Sequence, residues 1–279
     1  MTLSGLRLAF GFIMGMAVSF PSAAAAQEQY VNCSQDTRTV HEIANQVALN
    51  DFNGVDQTVA AAAYVFSTCL GDSRNRLRVE LSAAQVWQRD YRATVALLGV
   101  GLELHPLRAH QRLIIVPMAL VGREDLPLGR NNTVLGGSLI LSDSFPLARA
   151  TRTIGGKDVS VVTRQIIFDA RADYVDRSAS TVGTTLPSLG AETTFYGAAA
   201  IDQEIGSSRW ILTGRAGYRT LDRSPSDGFS TLSLGVRRMN RSYSNYGWTA
   251  QIAVNLGDKG YRALLFGGSL RFGGKRAKD

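Results

Sequence analysis

Toward the C-terminus, apolar and polar positions alternate almost strictly, and this is the strongest regularity in the chain. Over 246–256 one face reads Tyr246, Trp248, Ala250, Ile252, Val254 and Leu256, and the other Gly247, Thr249, Gln251, Ala253 and Asn255. Over 261–273 Leu264, Phe266, Gly268, Leu270 and Phe272 oppose Ala263, Gly267, Ser269 and Arg271. A period of two places successive side chains on opposite faces of a strand. The short 257–260 link, Gly-Asp-Lys-Gly, makes the two segments a hairpin. The pattern recurs in 231–237, 209–219 and 165–174, with charges kept to one face, and more weakly in 112–121, 133–142, 148–163 and 191–203. Beyond residue 111 the chain is therefore expected to form about eight to ten antiparallel strands.

The first part reads differently. From Thr37 to Pro106 the apolar positions recur at helical spacing, with breaks at 51–54, 71–73 and 89–90. This predicts four helices over about 37–50, 54–70, 74–88 and 91–104, with Val40, Ile43, Val47, Val59, Ala63 and Phe66 on the buried faces of the first two. In the fourth, Tyr91, Thr94, Leu98, Gly101 and Pro106 fall in the order of the second helix of a tetratricopeptide repeat, and Val55, Thr58, Ala62 and Val65 echo the order 36 residues earlier. This segment resembles that repeat family, which implies a helical groove for a protein partner. The alternation of Val95 and Leu97 fits a strand as well.

The chain opens with a leader-like stretch. Arg7 precedes the apolar run Leu8–Phe20, which is followed by Pro21-Ser-Ala-Ala-Ala-Ala26, as in a secretory signal peptide over 1–26. In an exported chain a pair of cysteines is a disulfide candidate, so Cys33 and Cys69 are expected to clip the segment after the leader. After Phe20 no apolar run approaches the roughly 18–20 residues of a spanning helix, so any membrane role must use strands.

Charge sharpens the division. Residues 1–132 hold 11 basic and 11 acidic side chains, whereas 133–279 hold 19 and 12, which is the whole net charge of +7. A nucleic-acid surface would cluster this excess. Here the arginines are spread singly along alternating segments, and nucleic acid is not an expected partner.

Candidate chemistry is sparse. All three histidines, His41, His105 and His110, precede the strands, which leaves the strand half without an imidazole base for acyl-transfer chemistry. No catalytic motif, metal site or cofactor site emerges, and an enzyme is not expected. Asp169 and Asp173 share a strand face with Arg171, and Arg215, Arg219, Arg237 and Arg271 are expected to project the same way from other strands. Such a set is a lumenal salt-bridge network, or alternatively an anion-attracting constriction.

Strands of 11 and 13 residues match the roughly 9–11 tilted residues that cross a bilayer. Polar links at 176–190 and 221–228, longer than 257–260, add the unequal turns of an outer-membrane barrel. The second part thus resembles small outer-membrane β-barrels of Gram-negative bacteria, and the whole chain resembles periplasmic tetratricopeptide-plus-barrel proteins. The resemblance implies an α+β protein: a leader (1–26), antiparallel helical hairpins in the periplasm (27–110), an up-and-down β-barrel in outer-membrane lipid (111–274) and a basic tail (275–279). It also implies a non-enzymatic role in which the helices bind an envelope or export protein while the barrel anchors them. Two alternatives are a narrow basic-lumen pore for small anionic solutes and a soluble periplasmic binding protein with a β-domain.

Overall fold

The computed structural model describes residues 39–71, 75–89, 91–105, 111–126, 130–154, 157–179, 191–206, 209–221, 224–241 and 247–273. These residues form twelve strands: β1 (Thr39–Phe52), β2 (Val55–Cys69), β3 (Arg76–Gln88), β4 (Tyr91–Leu104), β5 (Arg112–Leu126), β6 (Arg130–Ile154), β7 (Lys157–Ala179), β8 (Glu192–Glu204), β9 (Trp210–Leu221), β10 (Ser224–Arg241), β11 (Gly247–Gly257) and β12 (Tyr261–Phe272). Each pairs antiparallel with its sequence neighbours, and β1 pairs with β12, from His41↔Phe272 to Phe52↔Tyr261. The sheet is a closed barrel, and closure leaves no unpaired edge along the wall.

The α+β expectation is overturned. The four expected helices are β1–β4, and among the described residues there is no helix. The expected breaks do fall at turns. Asn53 and Gly54 both have positive φ, 51° and 78°, the signature of a two-residue hairpin turn. Asp51 holds that turn by accepting the Gly54 N–H at 2.7 Å.

What failed was the period, and the reason is physical. In β4 the inward Ala93, Val95 and Leu97 are buried, yet the outward Leu98, Val100 and Leu102 are apolar too. When both faces are apolar, alternation vanishes and an alanine-rich run reads equally well as a helix. Glycine supplies a further strand feature here. A Cβ at Gly101 would overlap the Ile115 carbonyl oxygen, so β4 and β5 approach more closely than a side chain allows.

Strand number and boundaries also change. Twelve strands replace eight to ten, and β1–β4 belong to the same wall as β5–β12, so no division falls at residue 110. The separate segments at 133–142 and 148–163 lie in the continuous β6 and β7, which pair with each other to Ile154↔Lys157. This ribbon runs past β5, which stops at Arg112↔Ser144, and past β8, which stops at Arg164↔Gln203. Arg152 ties it to the β8–β9 turn by donating to the Gly206 carbonyl at 3.1 Å. The link expected at 221–228 is shorter, because β10 begins at Ser224.

Outside, the wall is a band of exposed apolar side chains, including Leu98 (55% exposed), Phe195 (55%), Leu232 (65%) and Leu234 (61%). A contiguous apolar surface of this extent suits lipid, not water. Outward aromatics lie toward both ends of the strands. Tyr64, Trp210, Trp248 and Phe272 stand near the rim that holds the chain ends, and Trp87, Tyr174, Phe195 and Tyr218 lie toward the opposite rim. Paired aromatic girdles are the interfacial feature of transmembrane barrels.

Candidate lumenal site

The inward face has two characters. On β2–β5 its middle is apolar and buried, built from Val59, Ala61, Ala84, Val86, Val95, Leu97, Val116 and Met118, while the buried Arg78, Glu80, Glu103 and Glu124 lie on the same faces toward the rims. On β9–β11 its middle is polar and half-buried, carrying Thr213, Arg215, Thr231, Ser233, Thr249, Gln251 and Asn255, between the buried Arg219 and Phe229 toward one rim and Ile211, Arg237 and Met239 toward the other. Eight strands enclose a space that side chains can just fill. Twelve enclose more, and a buried apolar cluster fills part of that space, running from Ala48 on β1 through β2–β5 to Phe229 on β10 and Tyr261, Ala263 and Leu265 on β12.

Buried charges are held in pairs. Arg177 donates to Glu124 at 3.1 Å and to Glu192 at 2.9 Å, and Glu124 also accepts from Tyr91 at 3.3 Å and Asn132 at 3.1 Å. These groups tie β4 through β8 together near one rim. Toward the other rim Arg112 meets Glu103 at 2.8 Å, and Arg78 meets Glu80 at 3.1 Å. There Asp202 also accepts from Arg237 at 2.9 Å, Thr213 at 2.6 Å and Gln165 at 3.1 Å. An unpaired charge at such burial would cost several kcal/mol, which is why most of these groups are matched.

The seven residues assigned to the lumen from sequence all lie on the inward face of their strands. Asp169 accepts from Arg215 at 2.7 Å and from Ser142 at 2.7 Å. Arg171 Nε donates to Asp173, and Arg237 joins Asp202. Arg271 is half-buried on β12. Arg219 is 5% exposed, and no ion pair holds it among the described residues. Pairing aligns Arg171 with Tyr196 and Tyr196 with Arg219, so the two arginines flank one tyrosine across β7, β8 and β9. Arg215 lies over the Tyr196 ring, 5.5 Å from its centroid.

Sequence reasoning missed Glu124, Arg177, Glu192 and Asp202. Tyr91 and Arg78 lay in segments read as helix, and Asp202 in a weakly alternating one. Strict alternation continued forward from the Asp169–Asp173 face brings in Arg177.

Other candidates fall elsewhere. Cys69 ends β2, and Cys33 lies outside the described residues, as do His110, the leader 1–26 and the tail 275–279. His41 sits at a rim, stacked on Phe272 with ring centroids 5.3 Å apart and 2.6 Å from the Tyr64 hydroxyl. His105 Nδ1 is 2.9 Å from the Gln111 carbonyl oxygen. Among the described residues no cluster of His, Cys, Asp and Glu has the geometry of a metal site.

The fold and its lipid-suited band define an outer-membrane type of β-barrel. Among solved structures, the chain is similar to the translocator domain of the autotransporter NalP from Neisseria meningitidis, with a TM-score of 0.61 and 12% identity over 96% of this chain and 97% of that one. It is also similar to the β domain of the Bordetella autotransporter BrkA, with a TM-score of 0.56 and 10% identity over 85% of this chain and 99% of that one. At these identities the likeness establishes the fold alone. No family model and no curated protein matches the sequence.

Proposed function

We propose that this chain is a non-enzymatic outer-membrane barrel whose lumen passes small polar solutes. The observation that carries the reading is the half-buried polar lane on the inward face of β9–β11, inside a closed wall of twelve strands that encloses more space than eight would. The exposed apolar band supplies the lipid contact, and the buried ion pairs keep the wall rigid around the lane. A leader at 1–26 would route the chain to the envelope, and a Cys33–Cys69 bond would fasten its start to the end of β2. The helical partner-binding domain has no place in this account, since the residues assigned to it build a third of the barrel wall.

The test is electrical. The refolded mature chain, added to a planar bilayer, is expected to give discrete single-channel steps. A barrel that inserts and stays silent across a range of voltages would show that it serves as an anchor only.

A further inference from the structure

The lipid-facing side of the wall carries few charges, and they are matched at one rim but not at the other. At the rim of the β1–β2 turn, outward arginines have carboxylates at hand. Arg92 on β4 stands across from Asp125, Arg123 on β5 pairs with Asp125 at 2.8 Å, and Arg262 on β12 stands across from Asp51. At the rim that holds the chain ends, the outward arginines of β7 and β10 lack such neighbours. Arg238 is exposed on β10, and the residues across from it are Trp210 and Ala250. Its guanidinium lies over the Trp210 ring, 5.4 Å from the centroid. Arg164 is exposed on β7, across from Gln203 and Ala148, and its Nε donates to the neutral Gln203 side chain.

The register shows how far this lack of anions extends. The outward positions run from Thr193 to Ile205 on β8, from Trp210 to Thr220 on β9 and from Ser230 to Arg238 on β10, and Arg238 is the one charged residue among them. Arg164 lies three strands from Arg238, about 14 Å around the wall at the usual strand spacing, so the two serve separate places. A guanidinium at the edge of hydrocarbon is costly without a counter-charge, and an aromatic face offsets part of that cost. Trp210 is 40% exposed and stands near the strand ends, where the tryptophans of a transmembrane barrel meet the headgroups. Toward the middle of the wall the surface continues as exposed Leu212, Leu232 and Leu234, which suit acyl chains. The wall supplies no anion beside Arg238, whereas a lipid phosphate at that depth would.

We infer that Arg238, seated on Trp210, binds the phosphate of a net-negative lipid headgroup in the leaflet at the chain-end rim. The inference needs the barrel to lie in lipid and is independent of whether its lumen conducts. Trp210 holds the guanidinium at headgroup depth, and Arg238 supplies the charge and the donors.

The experiment reads the lipid beside a single tryptophan. Of the three tryptophans, Trp87→Phe and Trp248→Phe leave Trp210 as the reporter in the full mature chain, refolded into mixed vesicles of phosphatidylglycerol and phosphatidylcholine with one or the other carrying brominated chains. Quenching against lipid composition gives the relative affinity of the two lipids at that position. Phosphatidylglycerol is expected to be favoured about fivefold at Trp210, the effect of one basic residue at an anionic surface. Arg238→Gln should bring the ratio close to one, and Arg238→Lys should keep most of it. Arg164→Gln removes the same charge from the same belt and should leave most of the preference. With Trp87 as the sole reporter, at the opposite rim, the ratio should be near one. Heat-dependent gel mobility shows that each variant is folded. A preference unchanged by Arg238→Gln, lowered as much by Arg164→Gln, or equal at Trp87 would overturn the site in favour of diffuse surface charge. Quenching of Trp210 by neither lipid would mean that protein covers the patch, a second copy of the chain included, and would overturn it as well. A barrel that is silent in bilayer recordings yet keeps the preference sinks the channel reading alone.

Discussion

Arg177 is the residue on which the polar interior depends most. It is 3% exposed and bridges Glu124 on β5 and Glu192 on β8, so its loss would leave two buried carboxylates facing each other. Arg177→Met is expected to destabilise the folded barrel by about 3–5 kcal/mol, the usual cost of stranding a buried partner. Adding Glu124→Gln and Glu192→Gln should recover most of that loss, because the repulsion goes with the charges. Urea unfolding in lipid vesicles measures both steps. A single-variant loss below about 1 kcal/mol would mean that the network is not closed in the membrane.

Strands whose two faces differ were legible, and strands whose faces agree were not. In β10–β12 Leu232, Leu234, Ile252, Val254 and Phe266 face outward, while Thr231, Ser233, Gln251 and Ser269 face inward, so period two stands out in the sequence. In β2 the inward Val59, Ala61 and Ala63 oppose outward Ala60, Ala62 and Tyr64, and nothing in residue type separates lumen from lipid. The same rule governs the candidate site. Asp169, Arg171, Arg215 and Arg219 sit on strands that alternate clearly, whereas Glu124 stands between Arg123 and Asp125, where three charges in a row hide the period.

That distinction predicts a depth dependence. Arg substituted at the outward Leu234, near the middle of β10, should cost about 2–4 kcal/mol in a bilayer, and at Leu270, near a rim, about 0–1 kcal/mol. Unfolding titrations in vesicles give the two values. Equal costs at the two positions would place these leucines in a protein core and not against lipid.

At the scale of the whole molecule, twelve strands close through β1 and β12 into a wall that is apolar outside and divided inside. The apolar middle of the inner face on β2–β5 and the charged face of β7–β9 are not visible in composition alone. The net charge of +7 says nothing of a lumen in which most buried cations have an anion beside them.

The measurement that bears most directly on the account is envelope fractionation of the full precursor, followed by unheated and heated samples side by side on a detergent gel. The account predicts that the protein is extracted from the outer membrane only with detergent and runs at a different position before and after heating. Recovery in the soluble periplasmic fraction, with one position on the gel, would contradict it and turn the outward leucines into the core of a soluble protein.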